Sequence, residues 1–117
     1  MSSQVSIAEC NSFHDGYFRK IEIIQSCLFD GIEEKEPFDQ FSVKINIEHT
    51  NYIEYKNWGT KHFVIVIEGV KSLQIGSLPE LDWLIFDASV VESGQLIRFK
   101  VDDKIQVVGR SISIIRE

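Results

Sequence analysis

The stretch Phe41-Ser42-Val43-Lys44-Ile45-Asn46-Ile47-Glu48-His49 decides the fold class of this chain. Phe41, Val43, Ile45 and Ile47 alternate with Ser42, Lys44, Asn46 and Glu48. Side chains on a strand project to opposite faces in turn, so this segment is a strand with one dry and one wet face. Working outward, "FRKIEII" (18–24) repeats the pattern more loosely. "HFVIVIEGV" (62–70) is apolar on both faces over Phe63–Ile67, as expected of a central strand covered on both sides. "WLIFDASVV" (83–91) and "QLIRFKV" (95–101) follow, separated by Glu92-Ser93-Gly94 in a hairpin connection. Asp102-Asp103 turns the chain into "KIQVV", and Gly109-Arg110 into "SISII".

Isoleucine, valine and aromatics fill these segments, and no long 3.6-residue periodicity competes. The pattern predicts an all-β chain of about seven to eight short strands, an antiparallel β-sandwich or a partly closed barrel. Tight turns in the C-terminal half predict a meander of adjacent strands there. Two stretches read as loops: "DGIEEKEPFD" (30–39) and "GSLPELD" (76–82), the latter with a capping-box pattern at Ser77 and Glu80. With 117 residues and neither repeat nor linker, residues 1–117 are expected to form a single β domain.

Charge narrows the functional classes. Twelve Lys+Arg stand against 18 Asp+Glu, a formal net charge of −6. An acidic surface repels phosphate backbones and no basic cluster offsets it, so neither a nucleic acid nor an anionic membrane is the expected partner. Lys100, Lys104, Arg110 and Arg116 read as charges on the wet face and at turn tips, guarding against edge-to-edge pairing. The opening residues "MSSQVSIAEC" lack the basic and apolar regions of a signal peptide, and no apolar run reaches the roughly 20 residues of a membrane helix. Cytoplasmic location is the expectation. Cys10 and Cys27 are then reduced thiols, and without a C-x-x-C spacing they suggest no metal site; Cys27 reads as a small core residue.

Four groups of residues hold potential chemistry. His14-Asp15 pairs an imidazole with a carboxylate, the elements of a general base. Neighbours on an extended chain point to opposite faces, however, and the sequence has no G-x-S-x-G elbow or activated cysteine to act as nucleophile. Asp15-Gly16 is a strong turn pair, so the favoured reading is a strand entry with His14 held against the sheet. His49 and His62 would meet near the connecting loop if strands 41–49 and 62–70 paired. With His14 they would form a three-ligand metal set, although no H-x-H or H-E-x-x-H spacing singles it out. Tyr52, Tyr55 and Trp58 crowd into "HTNYIEYKNWGTK" (49–61), read as an edge strand or loop, and are candidate binding residues. Glu33, Glu34 and Glu36 supply an acidic loop beside them in the reading, while Trp83 and Phe86 are assigned to the core.

The segments "FHDGYFRKIEI", "SVKINIEH" and "HFVIVIEGVKSLQI" together resemble a loose group of small bacterial β proteins, some grouped with immunity proteins of toxin systems. The matching residues are His14, Asp15, Gly69 and Val70, with the apolar strands around them. The resemblance implies a bacterial cytoplasmic protein with a binding role and carries over no catalytic residues. The leading expectation is thus a non-enzymatic protein-binding module, an immunity-type inhibitor of a basic partner protein, with no cofactor. The alternatives are a small hydrolase or metal-dependent enzyme using His14 and Asp15, and a homodimeric scaffold joined through a sheet edge.

Overall fold

The alternation at 41–47 is realised as a buried stripe. In a computed structural model, which describes residues 3–8, 10–25, 29–30, 33–34, 41–53, 56–76 and 84–117, Val43, Ile45 and Ile47 are buried and the residues between them are half-exposed. They belong to β5 (Phe41–Ile53), which pairs with β6 (Lys56–Glu68) in one long antiparallel hairpin. Ile45 lies opposite Ile65 and Val43 opposite Ile67, so the dry faces of both strands coincide.

Around this hairpin a five-stranded antiparallel sheet runs β1 (Ser3–Val5), β11 (Ser111–Arg116), β6, β5, β2 (Tyr17–Gln25). A second sheet of four runs β7 (Ser72–Ile75), β10 (Ile105–Gly109), β9 (Leu96–Val101), β8 (Ala88–Ser93). A two-residue ladder joins β3 (Phe29–Asp30) to β4 (Glu33–Glu34). Phe63, Ile65 and Ile67 of the first sheet and Phe99, Val101, Ile105 and Val107 of the second enclose one core with Cys10, Phe13 and Ile85. Each such side chain removed from water contributes roughly 1.5–3 kcal/mol, which is why the dry stripes, rather than any polar contact, set the layer arrangement. The protein is an all-β antiparallel sandwich and not a closed barrel.

Several readings change. The described strands exceed the seven to eight expected, because β1, β7 and the β3–β4 ladder are too short to show an alternation. Within 49–61, β5 runs on to Ile53 and β6 starts at Lys56; the two pair with each other there, while β2 pairs with β5 only as far as Glu48 and β11 with β6 only from Phe63, so among the described residues this part of the hairpin has no third strand. β6 is central but buried on one face only, with Val64 and Val66 half-exposed. The C-terminal meander holds for β8, β9 and β10, and then breaks: β11 crosses to the first sheet and pairs with β6. Strand β8 starts at Ala88, and Phe86 is 55% exposed, so Phe86 is not core. Cys27, Trp83 and the capping-box turn at Ser77 lie outside the described residues.

The crossing after β10 depends on Gly109. A Cβ there would sit 2.7 Å from Ile67 Cγ2 and 2.9 Å from the Glu68 carbonyl oxygen, while Arg110 N–H donates to that same oxygen at 2.9 Å. The backbone oxygen cannot retreat without breaking the pairing. Gly109→Ala is therefore expected to destabilise the protein by about 1–3 kcal/mol in urea-unfolding equilibria, the usual cost of overpacking.

Candidate functional site

The His14-Asp15 pair stands where the two sheets meet. Residues 11–13 form a single 3-10 turn, and Ser12, Phe13 and Asp15 all take left-handed backbone angles (φ 52°, 54° and 65°). Such angles cost a non-glycine residue of the order of 1 kcal/mol each, so the surroundings must impose them. Phe13 is fully buried, with its ring edge-on to Phe63 at 5.3 Å between centroids. Gly16 N–H returns to the Phe13 carbonyl at 2.8 Å, and a Cβ on Gly16 would come within 2.9 Å of that oxygen and 3.3 Å of the His49 ring. Only glycine fits there.

From this turn the chain makes a short antiparallel exchange with the segment entering β8. Asp15 N–H donates to the Ile85 carbonyl and Ile85 N–H to the Gly16 carbonyl, both at 2.8 Å, and Tyr17 bridges Leu84. β2 and β8 are the outermost strands of their sheets on this side. The exchange stitches one corner of the sandwich, and beyond Tyr17 no described residue pairs with the outer side of β2. That edge carries a bulge between Phe18 and Lys20 and a Lys20–Glu22 ion pair at 3.1 Å, features that discourage strand addition.

Both histidines of the corner serve it. His14 Nδ1–H donates to the Phe86 carbonyl at 2.6 Å, and Nε2 lies 3.5 Å from Asp15 Oδ2. With an acceptor facing each ring nitrogen, the imidazolium is favoured: the Phe86 carbonyl first, then the Asp15 charge, raise the His14 pKa above its ordinary value. His49 is 2% exposed on the dry face of β5. Its Nε2–H donates to the His14 carbonyl at 2.9 Å, and its ring meets Phe13 and Phe63 edge-on at 5.6 Å and 6.2 Å. Loss of hydration lowers its pKa, outweighing the pull of the His14 carbonyl, so it is held neutral with the proton on Nε2.

Across the seam, Asp102 (φ 48°) turns β9 into β10 and its carboxylate accepts from the Phe86 and Asp87 N–H groups at 3.0 Å and 2.9 Å. Lys104 Nζ donates to the Leu84 carbonyl, sits 3.5 Å from Asp102 Oδ2 and lies 5.3 Å from the centre of the Phe86 ring. Lys104 is thus a half-buried tie, not the turn-tip charge expected of it. These two contacts stop the strand at Ala88 and hold residues 84–87 in place for His14. Nothing in the alternation around 102–104 advertised this role, because the partners lie 15 to 20 residues away.

His62 does not join the other histidines. It pairs in register with Glu48, on the wet face of the hairpin, whereas His49 is on the dry face. There His62 Nδ1 is 3.7 Å from Glu48 Oε1, while Arg19 holds Glu48 Oε2 at 2.5 Å. The Arg19 hydrogen bond is the main cause of a lowered Glu48 pKa. The proposed metal set of His14, His49 and His62 is therefore divided between two faces, and no group of three ligating side chains gathers among the described residues. The Arg19–Glu48–His62 group was missed because it needs the β2–β5 bulge to bring Arg19 over.

Tyr52 and Trp58 stand at the far end of the β5–β6 hairpin. Tyr52 pairs with Asn57 in the backbone ladder. Between the Thr50–Thr60 and Tyr52–Asn57 pairs, one residue of β5 faces two of β6, so Trp58 falls in a bulge. Glu33 and Glu34 form β4. Tyr55 and Glu36 lie outside the described residues.

No protein-family model matches the chain, and comparison with curated proteins and with solved structures yields no match either.

The seam makes a direct prediction. Asp102→Ala removes both acceptors for 86 and 87 and leaves alanine in a left-handed conformation, and is expected to lose about 1–3 kcal/mol in chemical denaturation. Asp102→Asn keeps an acceptor oxygen and tolerates the backbone, and is expected to lose less.

Proposed function

We propose that this protein is a non-enzymatic binding module for a basic protein partner, of the immunity-inhibitor type, acting in the cytoplasm. The observation that carries the reading is the use made of the His14-Asp15 corner. His14 Nδ1–H is engaged by the Phe86 carbonyl and the His14 carbonyl by His49, in a seam between two sheets. His14 thus spends Nδ1–H and its own carbonyl on joining the two sheets, and no group of three ligating side chains gathers around it among the described residues.

Binding also suits the charge and the hairpin. A net charge of −6 attracts a basic surface and speeds encounter with it. Tyr52, Tyr55 and Trp58 cluster in sequence at the β5–β6 connection, and aromatic side chains with a polar atom are over-represented among residues that dominate interface energy. The backbone ladder carries a bulge at Trp58. In this reading the aromatic triad supplies the contact area, and Glu33, Glu34 and Glu36 supply complementary charge.

The test is affinity capture from lysate by the tagged protein, run beside a Tyr52/Tyr55/Trp58→Ala triple variant and a Glu33/Glu34/Glu36→Lys triple variant, each checked for β circular dichroism. One basic protein retained in stoichiometric amount, and weakened at least tenfold by both variants, is the expected result. Retention unaffected by either variant, or no partner at all, would overturn the proposal.

A further inference from the structure

The corner described above has the properties of a latch. Ser12, Phe13 and Asp15 hold unfavourable left-handed angles, so the segment 10–16 is under local strain when closed. Two anchors keep it closed on the side of the first sheet: the Phe13 ring in its slot and the His49 Nε2–H bond to the His14 carbonyl. His49 is also one wall of that slot, since Phe13 rests edge-on against both His49 and Phe63. One imidazole therefore contributes to both anchors.

We propose that His49 is the catch of an acid-released latch, holding the strained turn at 10–13 closed when neutral and letting it open when protonated, so that the slot around Cys10, Phe13 and Phe63 is uncovered. A second proton would place a full charge among the Phe13 and Phe63 rings, at a side chain 2% exposed to water. The groups that face His49 do not favour that charge as a set. From the entry loop, Asp15 favours it and His14 opposes it. From β6, Lys61 stands directly across the ladder with a like charge, and Phe63 is apolar. Glu48, next to it on β5, points to the other face, where it pairs with Arg19.

The two histidines respond to acid in opposite senses. Neutral His49 is bound more tightly by the folded protein, so its contribution is complete above the ordinary histidine range and falls away as pH drops below it. His14, raised, contributes fully below that range and loses its contribution as pH rises through its folded value. On acidification the His14 grip on Phe86 therefore persists while the His49 catch weakens. Opening is confined to the Phe13 side, and the sheets stay joined.

Cys10 reports this opening. Its thiol is fully buried beside the turn, and its carbonyl accepts from Phe13 N–H at 2.9 Å. The experiment uses Cys27→Ser protein and a dipyridyl disulfide, which reacts with thiols in acid. Labelling rates from about pH 7.5 to about pH 5 are normalised at each pH to the urea-unfolded chain, while circular dichroism follows the sheets. The expected result is a rise of at least about tenfold in normalised labelling on acidification, with unchanged circular dichroism, and a flat profile in the Cys27→Ser/His49→Gln protein. Flat labelling with His49 present, or an equal rise in the glutamine variant, overturns the proposal. Should the glutamine variant fail to fold, imidazole NMR titration of the His49 protein decides: the labelling midpoint must coincide with the His49 titration, and separation of the two overturns it.

Discussion

Two main-chain hydrogen bonds, Asp15 N–H to Ile85 and Ile85 N–H to Gly16, fix the corner on which the rest of this molecule depends. Hydrophobic burial brings the sheets together but has no direction, so it does not by itself set where β2 enters or where β8 begins. The exchange at 15–16 and 85 supplies that direction. Its neighbours then fall into place: Gly16 because nothing larger fits, His14 over Phe86, His49 under the His14 carbonyl, Asp102 and Lys104 bracing 84–87 from the other side. It also explains why the fold is a sandwich. The stitch joins the outer strands at one corner only, and along the rest of β2 no described residue continues it.

The same corner accounts for the character of its histidines. One is exposed with acceptors at both nitrogens; the other is enclosed by aromatic rings and bonded through the proton it already has. A single hydrogen bond joins them, yet environment sends their pKa values in opposite directions. In an enzyme such a divergence often marks acid and base roles. Here each ring is oriented by a main-chain carbonyl, and under the proposed latch the divergence distinguishes a contact that survives acid from one that does not.

How far this was legible in the sequence depends on the range of each interaction. The alternation at 41–47 and at 96–101 gave the strands and their dry faces, since period-two patterning is local. The turn at Asp15-Gly16 and the hairpin at Gly94 were readable from residue chemistry for the same reason. The switch of β11 to the other sheet was not, because a two-residue turn at Gly109-Arg110 reads alike whether the next strand stays or crosses; what differs is the contact of Gly109 with Ile67 and Glu68, forty residues away. Phe86 looked like core because it sits in an apolar run, and it is exposed because Asp102 caps its amide and ends the strand pattern there. His62 could have been separated from His49 by counting alone: in a hairpin pairing Glu48 with His62, the two histidines have opposite parity on their strands.

The corner exchange between Asp15, Gly16 and Ile85 is measured most directly by amide hydrogen exchange at neutral pH. The amides of Asp15 and Ile85 are predicted to be protected to within about tenfold of the central β5 and β6 amides, as members of the cooperative core. If both exchange as fast as the exposed hairpin amides around Gly94, the corner is a loose contact between independently packed sheets and does not fix where β2 enters or β8 begins.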